Sequence, residues 1–252
     1  MLTFQSNGSG KDIVLLHGFC ENSTCFNEQV LLLKDHYKVT VIDLPGVAHS
    51  PYIEELSMEK CADEVHRTLM HIGISSCLMI GHSMGGYVTL SFAKKYPEFL
   101  KGFGLLHSTS NPDSDERRSK RDQAIKVIQD KGHEFYISNF IPPLFASSFN
   151  NPMVVERIIN EGKRITSKAI IAQLLSMKFR PSSNDFLKET DLPVLFIAGK
   201  HDAIIPVSDV IKQSAYVHKG SLVILPNAAH MGMIEDAEAC SEAIKQFAST
   251  FF

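Results

Sequence analysis

The run Gly81-His82-Ser83-Met84-Gly85-Gly86 constrains this chain more than any other stretch. An apolar segment, Cys77-Leu78-Met79-Ile80, leads into it, and an amphipathic segment from Met84 to Tyr96 leads out. Gly-x-Ser-x-Gly in that setting predicts a strand, a sharp turn and a helix, with Ser83 on the turn in a strained backbone conformation. A side chain at position 81 or 85 would collide with a neighbouring strand or helix, so glycine stands at both. The turn lifts the Ser83 hydroxyl above the sheet, and the helix N-terminus beneath it favours developing negative charge. A glycine-rich loop can carry the same spacing by chance. The flanking strand and helix, and the partner residues described below, weigh against that.

The rest of the chain repeats the strand–helix rhythm. Continuous apolar runs at 13–18, 39–46, 77–83, 102–108, 194–202 and 222–230 read as strands. Runs of this kind fit a parallel sheet buried on both faces. Segments with helical spacing lie between them, at Ser57–His71, Met84–Tyr96, Val207–His218 and Met233–Phe247. The alternation predicts right-handed crossovers, with helices on both faces of one sheet. A length of 252 residues suits one such domain with an insertion.

The rhythm stops between Ser108 and Asp185. Asn111-Pro-Asp-Ser-Asp-Glu-Arg-Arg reads as a helix start with acidic residues before basic ones, and Gly132 as a helix stop. Ile141-Pro142-Pro143 breaks the chain. Val154–Ile159 and Thr166–Met177 read as further helices. The segment holds 12 Lys and Arg against 9 Asp and Glu, in a chain whose net charge is −3. We therefore expect a core formed by residues 1–107 and 186–252, and a helical lid formed by 108–185.

Three further sites bear on the chemistry. A serine hydroxyl becomes a useful nucleophile only when a base takes its proton, and the base must be held in one tautomer by a buried carboxylate. His230 follows the apolar run Leu222–Leu225, and Asp202 follows Val194–Ala198, so both fall just past predicted strand ends, where open α/β sheets place their ligands. Attack on a carbonyl also needs two preorganised N–H donors for the oxyanion. Met84, the residue after the nucleophile, offers one. Phe19, in His17-Gly18-Phe19 after the strand Ile13–Leu16, offers the other.

Taken together, HGF, DLPG, GHSMGG, GKHD and AAHMGMIE resemble the α/β-hydrolase superfamily, and within it small lid-bearing esterase-like members. The likeness covers nearly the whole chain outside the lid. It implies the α/β-hydrolase fold with a mostly parallel eight-stranded sheet, an inserted helical lid after the sixth strand of the full fold, and no metal or organic cofactor. The order Ser83, Asp202, His230 is the order that fold requires. One position departs from the family pattern: DLPG usually continues with a second glycine two residues on, and here that residue is Ala48. A local change in the loop is expected.

Other polar residues have plainer readings. His17, Cys20, His107 and Arg121 are candidates for the substrate pocket. For Cys20 the competing reading is an inert buried thiol. His201 adjoins Asp202 but is expected to point away, and His82 is expected to be structural. Asp113 and Asp115 are alternatives for the acid, because some relatives place it after the preceding strand. Arg117, Arg118 and Arg121 form a solvated helix face or reach in to bind an anionic substrate group. His17, Cys20 and Cys25 match no metal-site spacing.

Bulk properties exclude several classes. A net charge of −3 is too near neutral for nucleic acid or an anionic membrane to be the main partner. No apolar run is long enough to span a bilayer. Five cysteines at irregular spacing, behind an N-terminus without the marks of a secretion signal, suit reduced thiols in the cytoplasm. The expected activity is hydrolysis of a small-molecule ester or related acyl bond through an acyl-enzyme. Carbon–carbon bond hydrolysis or a lyase reaction on a small oxo-acid stays open, as does a ligand receptor on the same fold. The sequence leaves the oligomeric state unassigned.

Overall fold

A computed structural model describes residues 1–251. The elements run β1 (Phe4–Asn7), β2 (Asp12–Leu16), α1 (Asn27–Leu33), β3 (Lys38–Ile42), α2 (Met58–His71), β4 (Cys77–His82), α3 (Met84–Lys95) and β5 (Leu100–Leu106). Five helices follow without a strand: α4 (Asp115–Lys131), α5 (His133–Phe140), α6 (Pro152–Lys163), α7 (Ser167–Lys178) and α8 (Asn184–Glu189). The chain then returns through β6 (Val194–Gly199), α9 (Val207–Ser214), β7 (Gly220–Leu225), α10 (Gly232–Glu235) and α11 (Ala237–Phe251).

The strands form one sheet in the order β1-β3-β2-β4-β5-β6-β7. β1 is antiparallel to β3, and every other neighbouring pair is parallel. The described residues thus give seven strands where eight were expected. Six match the apolar runs of the sequence. The seventh, β1, is Phe-Gln-Ser-Asn on an edge, with three of its four residues exposed, so it has no apolar run to announce it. Backbone pairing with β3, in the register Phe4↔Ile42, makes it a strand.

Interior strands are apolar at consecutive positions because both faces are covered. Every residue of β4 is buried. α1 packs on α11, and α2 on α3. Each fully buried aliphatic or aromatic side chain there contributes about 1.5–3 kcal/mol, so the strand ends that carry the site are anchored by the core itself.

Helix limits follow local chemistry. Ser57 caps α2 by accepting the Lys60 N–H at 3.2 Å, and Thr166 caps α7 by accepting the Ala169 N–H at 3.3 Å. Gly132, at φ 87°, ends α4, a conformation in which a side chain would be strained. The helix expected over Met233–Phe247 is instead two helices that break at Asp236, where φ is −143° and ψ 60°. α9 also ends early, at Ser214 rather than His218. Ala48, the position that departs from the family pattern, has φ 49°. Glycine adopts that left-handed conformation without cost and alanine does not, which is why a glycine would suit the loop.

The helical segment after β5 packs over loops at the strand C-termini. The Phe19 ring lies 5.3 Å from Phe140, between centroids, in an edge arrangement. The Leu144 carbonyl accepts the His230 N–H at 2.9 Å. Arg180 of this segment stacks on the Tyr87 ring of α3, with its guanidinium carbon 3.8 Å from the centroid.

Candidate active site

Ser83 stands between β4 and α3 with φ 49° and ψ −113°. That backbone is left-handed and strained, and its surroundings hold it there. Ser83 N–H donates to the Leu106 carbonyl at 2.9 Å, and Ser108 Oγ donates to the Ser83 carbonyl at 2.7 Å. A Cβ at Gly81 would lie 2.2 Å from the Gly85 carbonyl oxygen, and one at Gly85 would lie 2.2 Å from the Leu16 carbonyl oxygen. Glycine at these positions is therefore what lets the turn close beneath the serine.

Asp202 arrives from the loop after β6 and His230 from the loop after β7. His230 Nε2 lies 2.9 Å from Ser83 Oγ, and His230 Nδ1 lies 2.8 Å from Asp202 Oδ2. Since an ionised carboxylate only accepts, Nδ1 carries the proton and Nε2 is free to accept from the serine hydroxyl. The other carboxylate oxygen, Oδ1, accepts the N–H groups of Ile204 at 2.8 Å and Ile205 at 2.9 Å. Burial alone would raise the Asp202 carboxyl. Interactions with His230 and His107 outweigh burial and hold it far below the usual carboxylate range.

Met84 begins α3, so its N–H is one of the first-turn donors that have no partner inside the helix. Phe19 follows the end of β2. The β2–β4 register pairs Leu16 with Gly81, and Gly85 packs against the Leu16 and His17 carbonyls. The two segments that carry the Phe19 and Met84 amides are thus held side by side.

The expected pocket residues divide. His17 is fully buried, with Nδ1 donating to the Gly18 carbonyl at 2.8 Å and Nε2 accepting the Leu44 N–H at 2.9 Å. It braces the loop from behind instead of lining a pocket, and burial lowers its pKa, so it stays neutral. His107 is likewise fully buried, not a pocket wall. Its Nε2 accepts the Gly232 N–H at 3.2 Å and its Nδ1 faces Asp202 Oδ2 at 3.3 Å. Burial pulls its pKa down to about 4. Cys20 is fully buried at φ 60°, and burial pushes its thiol well up, which suits an inert group. All five cysteines are buried free thiols.

Arg121 does line a cavity. A space of about 600 Å³ opens beside Phe19, walled by Tyr136, Phe140 and Leu174 and edged by Arg117 and Arg121. Arg121 also pairs with Asp113, and Arg117 donates to the Ile204 carbonyl. Asp113, an alternative for the acid, is held by Arg121 and, at 2.6 Å, by Arg180. Asp115 is exposed in the first turn of α4. Neither reaches His230 in this arrangement. His201 is exposed, with its N–H donating to the Ala228 carbonyl.

Two groups near the serine were not singled out by sequence for the roles their contacts give them. His82 Nδ1 lies 2.9 Å from Glu21 Oε2, and both residues are buried. Glu21 carried no prior expectation at all. Its one signal in the sequence is an acid placed among apolar and small residues four positions after His17.

His107, Asp202 and His230 offer one ligand atom each within 4.8 Å of one another. Asp202 Oδ2 is already engaged with His230 Nδ1, and Nε2 of His230 with Ser83. Hydrogen bonding accounts for the cluster without a cation. Among the described residues no helix is long and apolar enough to cross a membrane.

Comparison with known proteins places these features in context. A family model described as the alpha/beta hydrolase fold matches residues 12–157. A pimeloyl-[acyl-carrier protein] methyl ester esterase of Neisseria meningitidis serogroup A is 25% identical over 246 residues, which cover 94% of this chain and 76% of that one. A malate-bound thermophilic esterase from Thermogutta terrifontis superposes with a TM-score of 0.94 at 31% identity, over 99% of this chain and 93% of the other. An enol-lactonase from Burkholderia xenovorans superposes with a TM-score of 0.91 at 19% identity, over 98% of this chain and 96% of that one.

Proposed function

The chain belongs to the α/β-hydrolase fold family, and from that membership we propose that it hydrolyses a carboxylic ester or related acyl bond of a small molecule through an acyl-enzyme at Ser83. The observation that carries the reading is the continuous relay Ser83 Oγ, His230 Nε2, His230 Nδ1 and Asp202 Oδ2, with links of 2.9 and 2.8 Å. The relatives named as esterases support it.

In this reading His230 Nε2 takes the serine proton as Oγ bonds to the substrate carbonyl carbon. The carbonyl oxygen gains negative charge, and the Phe19 and Met84 amides receive it. Such a donor is worth about 2.7–4 kcal/mol in the transition state. The imidazolium formed at His230 is stabilised by Asp202, which stays ionised. His230 then returns the proton to the leaving oxygen, the alcohol departs, and the acyl group remains on Ser83. Water repeats the sequence and frees the acid. Apart from the substrate and water, every group in the cycle belongs to the protein, so the reading calls for no metal or organic cofactor.

Residues 108–185 serve as the lid over a core of 1–107 and 186–252. Contacts of Phe140 and Leu144 with Phe19 and His230 support this role. The cavity beside Phe19, with its aromatic wall and arginine edge, takes the acyl or leaving group. The protein works in the cytoplasm, a setting that suits its five free thiols.

A panel of p-nitrophenyl esters of graded acyl length, run beside lactones and small oxo-acids, tests the activity. Multiple turnover of at least one ester or lactone is expected. Turnover confined to carbon–carbon cleavage of an oxo-acid, or cleavage that halts after one equivalent, contradicts the ester-hydrolase reading.

A further inference from the structure

We propose that Glu21 and His82 form a buried carboxylate–imidazolium pair that positions the oxyanion loop, the nucleophile turn and the base loop relative to one another. The proposal rests on reading Ser83 and His230 as the reacting pair. His82 precedes Ser83 and is fully buried, and Glu21 is 2% exposed. His82 Nε2 lies 2.8 Å from the main-chain carbonyl oxygen of His230. A carbonyl only accepts, so Nε2 carries a proton. On the other side, Nδ1 lies 2.9 Å from Glu21 Oε2. That same oxygen accepts the Gly18 N–H at 2.9 Å, from the residue just before Phe19. An oxygen receiving a backbone donor and facing a ring nitrogen suits an ionised carboxylate, so Nδ1 carries a proton as well.

The pair therefore ties three loops through two side chains. Gly18 sets the direction of the Phe19 amide, His82 is adjacent to the nucleophile, and the His230 carbonyl belongs to the base. The packing admits little else at this point: a Cβ on Gly18 would sit 2.7 Å from His82 Nδ1. Burial alone would lower the His82 pKa, but Glu21 outweighs it and raises it, while His82 in turn lowers that of Glu21. The titratable groups facing the pair are His17, Cys20, Cys25 and Asp43 on the side of the oxyanion loop, and His230, Asp202 and His107 on the other. Cys20 and Cys25 have thiols pushed well up, the Cys25 thiol also donating to the Glu21 carboxylate, and burial pulls His17 and His107 down. The His82 and His230 rings lie 5.0 Å apart, between centroids, close enough for the pair to act on the base through its loop. Neither Glu21 nor His82 touches the reacting atoms, so both are positioning residues.

The test joins a spectroscopic and a kinetic reading. In protein labelled with 15N-histidine, both ring nitrogens of His82 should be protonated at pH 8, where a free imidazole is neutral. In Glu21→Gln, which keeps the size of the side chain and can donate its amide N–H to Nδ1, only Nε2 should remain protonated. That variant should lose roughly 10- to 100-fold in kcat, with KM changed by less than about threefold, because misplaced groups slow chemistry more than binding. A wild-type His82 with one bare ring nitrogen at pH 8 overturns the proposal, and so does a Glu21→Gln kcat within about twofold of wild type. If the variant fails to fold, the wild-type spectrum decides alone. Labelling of Ser83 by a fluorophosphonate reports the triad separately, so failure of the pair and failure of the triad are distinguishable.

Discussion

At the C-terminal ends of β4, β5, β6 and β7, the polar side chains Ser83, Asp202, His230, His82 and His107 are all buried and each has a fixed partner. In the helical segment from 108 to 185, most ion pairs lie at the surface instead. Lys120–Glu116 and Arg118–Asp115 are well exposed, and Met153 and Phe179 stand in solvent. The one charge cluster of that segment with the buried character of the strand ends is Asp113 with Arg180 and Arg121. Buried, fully partnered groups hold a geometry to fractions of an ångström, whereas exposed pairs contribute little rigidity. On the proposed reading, the difference assigns the chemistry to the strand ends and access to the helical segment. Substitutions in the first region should act on kcat, and those in the second on KM.

The comparison breaks most easily at its strongest point. Ser83→Ala should lower kcat by about 10³-fold or more, because triad members act as a unit. Steady-state hydrolysis of the best p-nitrophenyl ester measures this, and a variant that keeps a tenth of the activity would remove Ser83 from the mechanism.

Two carboxylates, one from each region, sharpen it next. Asp202→Asn should cost roughly 10²–10⁴-fold in kcat by spoiling the tautomer of His230. Asp113→Asn, although Asp113 is just as buried, should leave kcat within a few-fold, because its partners are arginines that hold the helices. Equal losses in the two variants would erase the distinction between the regions.

Arg117 tests the helical side. It edges the cavity and donates to the Ile204 carbonyl. A partly exposed arginine facing an anionic acyl group is worth about 1 kcal/mol, so Arg117→Ala should raise KM for such esters about fivefold while kcat changes by less than about twofold. Loss confined to kcat would place Arg117 in the chemical machinery instead.

The smallest effect concerns stability. Burial lowers the His107 pKa from the usual 6.5 to about 4. Between those values the unfolded chain binds a proton that the folded one refuses, so stability falls as the pH drops through that window. The thermal midpoint of the wild type should decline from pH 6.5 to 4, and His107→Gln should decline less. Parallel curves for the two proteins would mean that His107 is not held neutral.

Much of the fold was legible because parallel strands buried on both faces appear in sequence as unbroken apolar runs. The places of Ser83, Asp202 and His230 just past strand ends were legible because each lies within a few residues of such a run. β1 was hidden because an exposed edge strand needs only backbone partners. His17 and His107 were misplaced for another reason: a buried histidine is identified by its acceptors and donors, and those of His107 lie at Gly232 and Asp202, far along the chain. Glu21 went unread on the same grounds, since its partner is His82. The arginines of the helical segment gave only a net positive charge. Which of them faced a cavity depended on how α4 and α7 pack.

The claim that the strand ends alone supply the nucleophile is tested most directly by covalent labelling. Wild-type protein, treated with a fluorophosphonate until activity is gone, should carry one adduct per chain, on the peptide that contains Ser83. Labelling should proceed in step with the loss of activity, and Ser83→Ala should take up none. An adduct on another residue, or full activity in protein whose Ser83 is blocked, would contradict the account.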